Sequence, residues 1–193
     1  MFTGHVAIAL AARRARSDLP LWTLVLVSQA CDYVERLARP YTTIFDASVY
    51  SHAFPFVVIA ALAVATLVGV WKRSLGAALF VLALYLSHPV VDYVTGFKPL
   101  WWHGPLVGLH FVERPAADFA IQGVMCMLGS AIYLGSLPPA RRRQLVALVP
   151  LIFLLALQGL GDLFLRARGH GVTAPITSAL GGGVSDRRGL RLR

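Results

Sequence analysis

Five long apolar segments set the terms on which this chain can fold. They run roughly from Pro20 to Val34, Phe54 to Trp71, Leu75 to Val91, Ala116 to Leu137 and Leu145 to Leu163. A membrane-spanning helix takes about 17–25 predominantly apolar residues. The first segment is short for that unless it extends through Leu37. In lipid every backbone N–H and C=O must be satisfied within the protein, which favours helices over isolated strands. Ahead of the five lies "FTGHVAIALAARRAR", a good helix with Thr3 as N-cap, too short to span. The expectation is an all-α polytopic membrane bundle of about five spanning helices plus this short N-terminal helix. The composition agrees: 57% of residues are hydrophobic and 14% charged, against about 45–50% and about 25% in soluble domains.

Residues 1–168 are read as a single membrane-embedded helical domain. The tail, 169–193, is rich in Gly and Arg, lacks periodicity and is expected to be disordered. The net charge of +9 would suggest nucleic acid in a soluble protein. Here the bases cluster at the ends of apolar runs and in the tail, where they meet headgroups and set topology. Nucleic acid is therefore not an expected partner, and membrane lipid is. Cys31 and Cys126 both fall inside apolar runs without CxxC spacing, so no disulfide framework is expected. Oligomeric state cannot be read from the sequence.

Threading five spans through a bilayer sorts the charges. One side receives Arg13, Arg14, Arg16, Lys72, Arg73, Arg141, Arg142 and Arg143, with Asp18 as its single acid. The other receives Asp32, Glu35, Asp46, Asp92, Glu113, Asp118 and Asp162 with His52, His88, His103 and His110, although Arg36, Arg39, Lys98, Arg114, Arg166 and Arg168 fall there too. The positive-inside rule makes the first side cytoplasmic. This predicts an integral protein of a bacterial or archaeal inner (plasma) membrane, its acidic face outward.

The convergence carries the chemistry. Asp32 ends the first span, His52 begins the second, His88 and Asp92 end the third, Asp118 begins the fourth and Asp162 ends the fifth. His5 points back to the same face from the short helix. Ionisable groups within spans cost a few kcal/mol each and usually face an interior with a job. His5, Asp32, His52, His88 and Asp92 are ligand types for zinc, and also for iron or manganese. In "LYLSHPVVDYVTG", His88 and Asp92 stand four apart and share one helix face. A divalent metal held there would acidify water for attack on an ester or phosphoester. Asp118 or Glu35 is a candidate general base, and His103, Lys98 or Arg114 a stabiliser of developing negative charge. The local alternative for each is plain: Asp32 with Arg36, and Asp162 with Arg166, are i,i+4 partners, and Asp118 suits a helix N-terminus.

The pieces "TGHVAIALAARR", "SQACDYVE", "YSHAFPF" and "LSHPVVDYVTG" occur in an order and spacing that resembles membrane-bound metal-dependent hydrolases of the LexA-binding inner-membrane type. These look like distant relatives of zinc-dependent phospholipase C. The likeness covers about residues 1–100, with "GPLVGLHF" and Asp118 similar to a later block of some members. It implies metal ligands at His5, Asp32, His52, His88 and Asp92. The chain departs from the pattern where the usual Pro-Asp is Cys31-Asp32, and where Tyr33 replaces the acid that often follows, with Glu35 further on.

The leading expectation is thus a metal-dependent hydrolase acting on an ester or phosphoester of a lipid or amphiphile at headgroup depth. "GFKPLWWHGP" would serve as an interfacial aromatic belt or, less favoured, as a lid over the site. A non-catalytic protein that binds or transports metal ions is the competing reading; it predicts polar residues running deep into the spans, where Thr66, Gln122, Ser130 and Gln158 are sparse. A structural membrane protein is the third, and predicts that the His and Asp side chains point apart.

Overall fold

The structure is a computed structural model. It describes residues 2–38, 40–41, 44–102 and 104–139, with isolated positions between 152 and 160. The described chain is helical: α1 (Phe2–Ala15), α2 (Leu21–Ser28), α3 (Ala30–Ala38), α4 (Ile44–His52), α5 (Phe54–Lys72), α6 (Leu75–Thr95) and α7 (Pro115–Gly135). A two-residue antiparallel hairpin, β1 (Lys98–Pro99) with β2 (Leu106–Val107), and a 3-10 turn (Phe111–Glu113) lie between α6 and α7. Three helices are long and apolar enough to cross a membrane: Phe54–Lys72, Leu75–Thr95 and Ala116–Gly135. The expected fifth span, Leu145 to Leu163, and the tail lie outside the described residues but for a few positions.

The first apolar segment does not form one helix. It breaks at Gln29, the C-cap of α2 (φ −107°), and restarts as α3. Ser28 sits at the break, and its hydroxyl donates to the Val25 carbonyl at 3.0 Å. Pro20 fixes the start of α2, where its missing N–H costs nothing. Arg13 closes α1: its guanidinium donates to the carbonyls of Arg16, Ser17 and Leu19, the kind of cation–carbonyl contact that a helix C-terminus favours.

Helices α5 and α6 form an antiparallel pair joined by Arg73 and Ser74. Arg73 takes the left-handed conformation (φ 48°) that ends α5, and the Ser74 hydroxyl accepts from the Ala77 N–H at 3.2 Å to start α6. The buried stripe of α5 is small, Val57, Ala61, Ala65 and Val68, while Leu67 and Val70 are 70% and 73% exposed. Large apolar side chains outside and small ones inside are what lipid solvent selects, because close packing rather than water exclusion holds helices together there. The stripe of α6 begins apolar at Ala77, Val81 and Leu84 and ends polar at His88 and Asp92.

Helix α1 packs chiefly on α7, and also touches α2 and α6. Gly129 permits the approach: a Cβ there would overlap the Ala7 carbonyl. The hairpin is fastened at both ends. The Phe54 N–H donates to the Leu100 carbonyl at 2.9 Å, and the Leu109 N–H to the Tyr93 carbonyl at 2.9 Å. Gly108 (φ 149°) lies so close to Gly96 that no side chain fits.

Two aromatic clusters mark opposite ends of α5. Trp22 and Trp71 have ring centroids 6.3 Å apart, with the Lys72 ammonium 4.5 Å from the Trp71 ring. At the other end Tyr50, Phe56 and Trp102 meet with centroids 5.3–6.1 Å apart. Phe56 and Trp71 are separated by about 22 Å along the helix axis at its usual rise, a spacing suited to two interfacial belts. Arg13, Arg14, Arg16, Lys72 and Arg73 lie at the Trp22–Trp71 end. The one acid there among the described residues, Asp18, is held down at about 2 by hydrogen bonding to the Arg16 guanidinium.

Candidate metal centre

Four of the five expected ligands converge. One ligand atom from each of Asp32, His52, His88 and Asp92 lies within 4.8 Å of all the others. They arrive from three elements: the first turn of α3, the last residue of α4, and adjacent turns of α6. Asp92 Oδ2 is 3.0 Å from His52 Nε2 and 3.3 Å from His88 Nε2. Asp32 Oδ1 is 3.6 Å and 3.7 Å from the same two nitrogens, which are themselves 3.3 Å apart. His52, His88 and Asp92 are buried; Asp32 is the most open of the four, with its side chain 17% exposed.

The far side of each imidazole is committed. His88 Nδ1 is 2.7 Å from the Ser28 carbonyl, an acceptor only, so Nδ1 carries the proton and the Nε2 lone pair faces the cluster. The break between α2 and α3 is what turns that carbonyl toward α6. His52 Nδ1 is 3.3 Å from the Glu35 carboxylate and 2.6 Å from the Ser51 hydroxyl. Glu35 only accepts, and Ser51 passes its own proton to the Ser48 carbonyl, so His52 also presents Nε2 to the cluster. Fixing the tautomer through the distal nitrogen is how proteins prepare histidine for a metal. The donor set, two imidazole nitrogens and two carboxylates, fits a divalent ion of the zinc, manganese or iron type.

His5 is not one of the four. Its Nε2 lies 3.1 Å from Asp92 Oδ1, the oxygen turned away from His52 and His88, and its ring stacks on His88 at 3.7 Å. Asp92 thus uses both oxygens. Of the residues expected to move protons or steady charge, Glu35 is bound to Lys98 at 3.0 Å as well as to His52. Asp118 accepts from Gln122 at 2.7 Å, and Gln122 in turn accepts from the Thr3 hydroxyl at 2.9 Å. Arg114 forms the N-cap of α7. His103 lies outside the described residues.

Ser28 and Ser51 were not singled out by sequence, and Glu35 was assigned a different part. The polar Ser28–Gln29 pair inside an apolar run was the available signal for the helix break. No local pattern points to Lys98 as the partner of Glu35, 63 positions away. Compared with protein-family models, with curated proteins and with solved structures, the chain matches none.

Proposed function

We propose that this chain is an integral membrane, metal-dependent hydrolase acting on an ester or phosphoester of a lipid or amphiphile at headgroup depth. The observation that supports it is the four-residue cluster with both distal imidazole nitrogens already committed, at the level of the Tyr50–Phe56–Trp102 belt. His52 stands two residues before α5, and His88 and Asp92 stand about 20–26 Å along α6 from its start near Trp71. A substrate at that level would offer its polar headgroup to the cluster while its chains remain in lipid.

Asp32, His52, His88 and Asp92 would hold the ion, which supplies Lewis acidity toward water and toward an ester or phosphoester oxygen. The chain's own contributions are positional. The Ser28 carbonyl holds the His88 Nδ1 proton, and the Ser51 hydroxyl, beside the Glu35 carboxylate, holds that of His52, keeping two Nε2 lone pairs inward. His5 steers Asp92 from behind through Oδ1. Asp32, the least buried, marks the side from which substrate enters. With Glu35 engaged by two partners, Asp118 and His103 are the candidates left for proton transfer. About five spans, with the basic end cytoplasmic and the centre outward, complete this reading.

The test is the metal content of the detergent-purified protein beside a His88→Ala, Asp92→Ala double variant. The expected result is near-stoichiometric zinc, manganese or iron in the parent and little in the variant. Equal and negligible metal in both sinks the proposal. A screen with phosphodiesters and phospholipids follows, and bound metal without turnover favours ion binding or transport instead.

A further inference from the structure

The cluster is joined to the Trp-bearing hairpin by a chain of three side chains. Lys98, in β1, places its ammonium 3.0 Å from Glu35 Oε2. The same oxygen lies 3.3 Å from His52 Nδ1. The Lys98 and Glu35 side chains are 21% and 9% exposed, and His52 is fully buried. We propose that Lys98 is a positioning residue: through Glu35 it sets the His52 imidazole for the metal, so that occupancy of the centre and seating of the Trp101–Trp102 hairpin are coupled. The proposal rests on the metal-centre reading and adds to it the residues behind His52 and the hairpin that carries Lys98.

The physical reasoning is direct. A buried carboxylate is held in one place by the donors it accepts from. Lys98 is a cation within hydrogen-bond distance of Glu35, and it rides on the hairpin rather than on a helix. Displacing the hairpin takes Lys98 away, and Glu35 then loses one of the contacts that hold it 3.3 Å from His52 Nδ1. The hairpin is also tied to the residue after next from His52, since Phe54 donates to the Leu100 carbonyl, and Trp102 rests against Tyr50 and Phe56 on either side of His52. An ion that draws His52 Nε2 inward strengthens the bond at Nδ1 and, by reciprocity, the hold of Glu35 on Lys98.

The experiment uses the full chain in detergent, with Zn²⁺ or Mn²⁺ alone as the probe. Metal dissociation constants are read by competition with a chromophoric chelator. Hairpin seating is read by acrylamide quenching in a background with Trp22 and Trp71 changed to Phe. Glu35→Gln is expected to weaken binding by about 10–100-fold, the usual cost of losing a residue that orients a metal-bound histidine. Lys98→Met is expected to weaken it by about 10-fold, and Lys98→Arg to restore it. Adding Lys98→Met to Glu35→Gln should cost nothing more, because the two act in series. Metal should protect Trp101 and Trp102 from quenching in the parent but not in Lys98→Met.

An unchanged dissociation constant in Lys98→Met overturns the proposal, as do additive losses in the double variant. So does weakening in Lys98→Met that Lys98→Arg fails to restore. Failure of the parent to bind metal is a different result: it removes the metal centre itself, and the relay falls with it.

Discussion

Asp92 is the residue on which the centre turns. Its Oδ1 meets His5 and its Oδ2 meets both His52 and His88, so neither oxygen can be exchanged for an amide nitrogen without leaving a donor facing a donor or a metal. Asp32 stands at the rim, with a side chain 17% exposed. The two carboxylates should therefore respond differently. Asp32→Asn is expected to lower metal affinity by about 100-fold or more while changing the stability of the metal-free protein by less than about 1 kcal/mol, as partly solvated substitutions do. Asp92→Asn is expected to lose affinity and also about 1–3 kcal/mol of stability, because the buried His5 imidazole loses its bond to a carboxylate. Chelator competition and thermal unfolding in EDTA separate the two effects. A similar loss of stability in both variants would contradict the assignment of Asp32 to the mouth.

At the scale of elements, α6 carries two ligands and depends on how it starts. Replacing Ser74 by Ala removes the hydroxyl that accepts from Ala77 and should cost about 1 kcal/mol of stability. Gly129→Val should cost about 1–3 kcal/mol by forcing α1 off α7, seen as a fall in Tm, and should disturb His5 before it disturbs His88. This is also the scale at which sequence and structure part company. The His88–Asp92 face was legible because a long apolar helix fixes its own phase, so a four-residue spacing determines the geometry. That Asp32 and His52 come to the same end as His88 and Asp92 was legible from their places beside the apolar runs, although Asp32 sits on α3 and His52 closes α4 instead of bounding spans. The break at Gln29 was legible only as the polar Ser28–Gln29 pair, since the bond from Ser28 to Val25 has its like in Ser87 to Leu84 within unbroken α6. Helix α4, Ile44–His52, mixes polar and apolar residues without a helical stripe, and two-residue strands are too short to show alternation. The part played by Glu35 was hidden for another reason. Its environment comes from Lys98 and His52, residues brought together only by the tertiary fold.

The described chain is polar along the axis of its long apolar helices. One end carries Trp22, Trp71 and a set of cations whose one described acid is paired with Arg16. The other carries the aromatic cluster of Tyr50, Phe56 and Trp102 and the metal-ligating types. Single cysteines at Arg73 and at Leu106, in a background lacking Cys31 and Cys126, should label from opposite faces with a membrane-impermeant thiol reagent. In right-side-out vesicles the expected pattern is reaction at 106 and protection at 73. Labelling of both from one side would contradict a centre displayed at one face of a transmembrane bundle. The docking of α1 on α7 has a consequence in time. Asp32, His52, His88 and Asp92 have all been synthesised before α7 exists, but the Gln122 that receives Thr3 lies 119 residues downstream of it. At ribosomal speed that is a delay on the order of ten seconds. The face of α1 that packs on α7 therefore waits through that interval for its cover, whereas its contacts with α2 and α6, His5 with Asp92 among them, need no residue of α7.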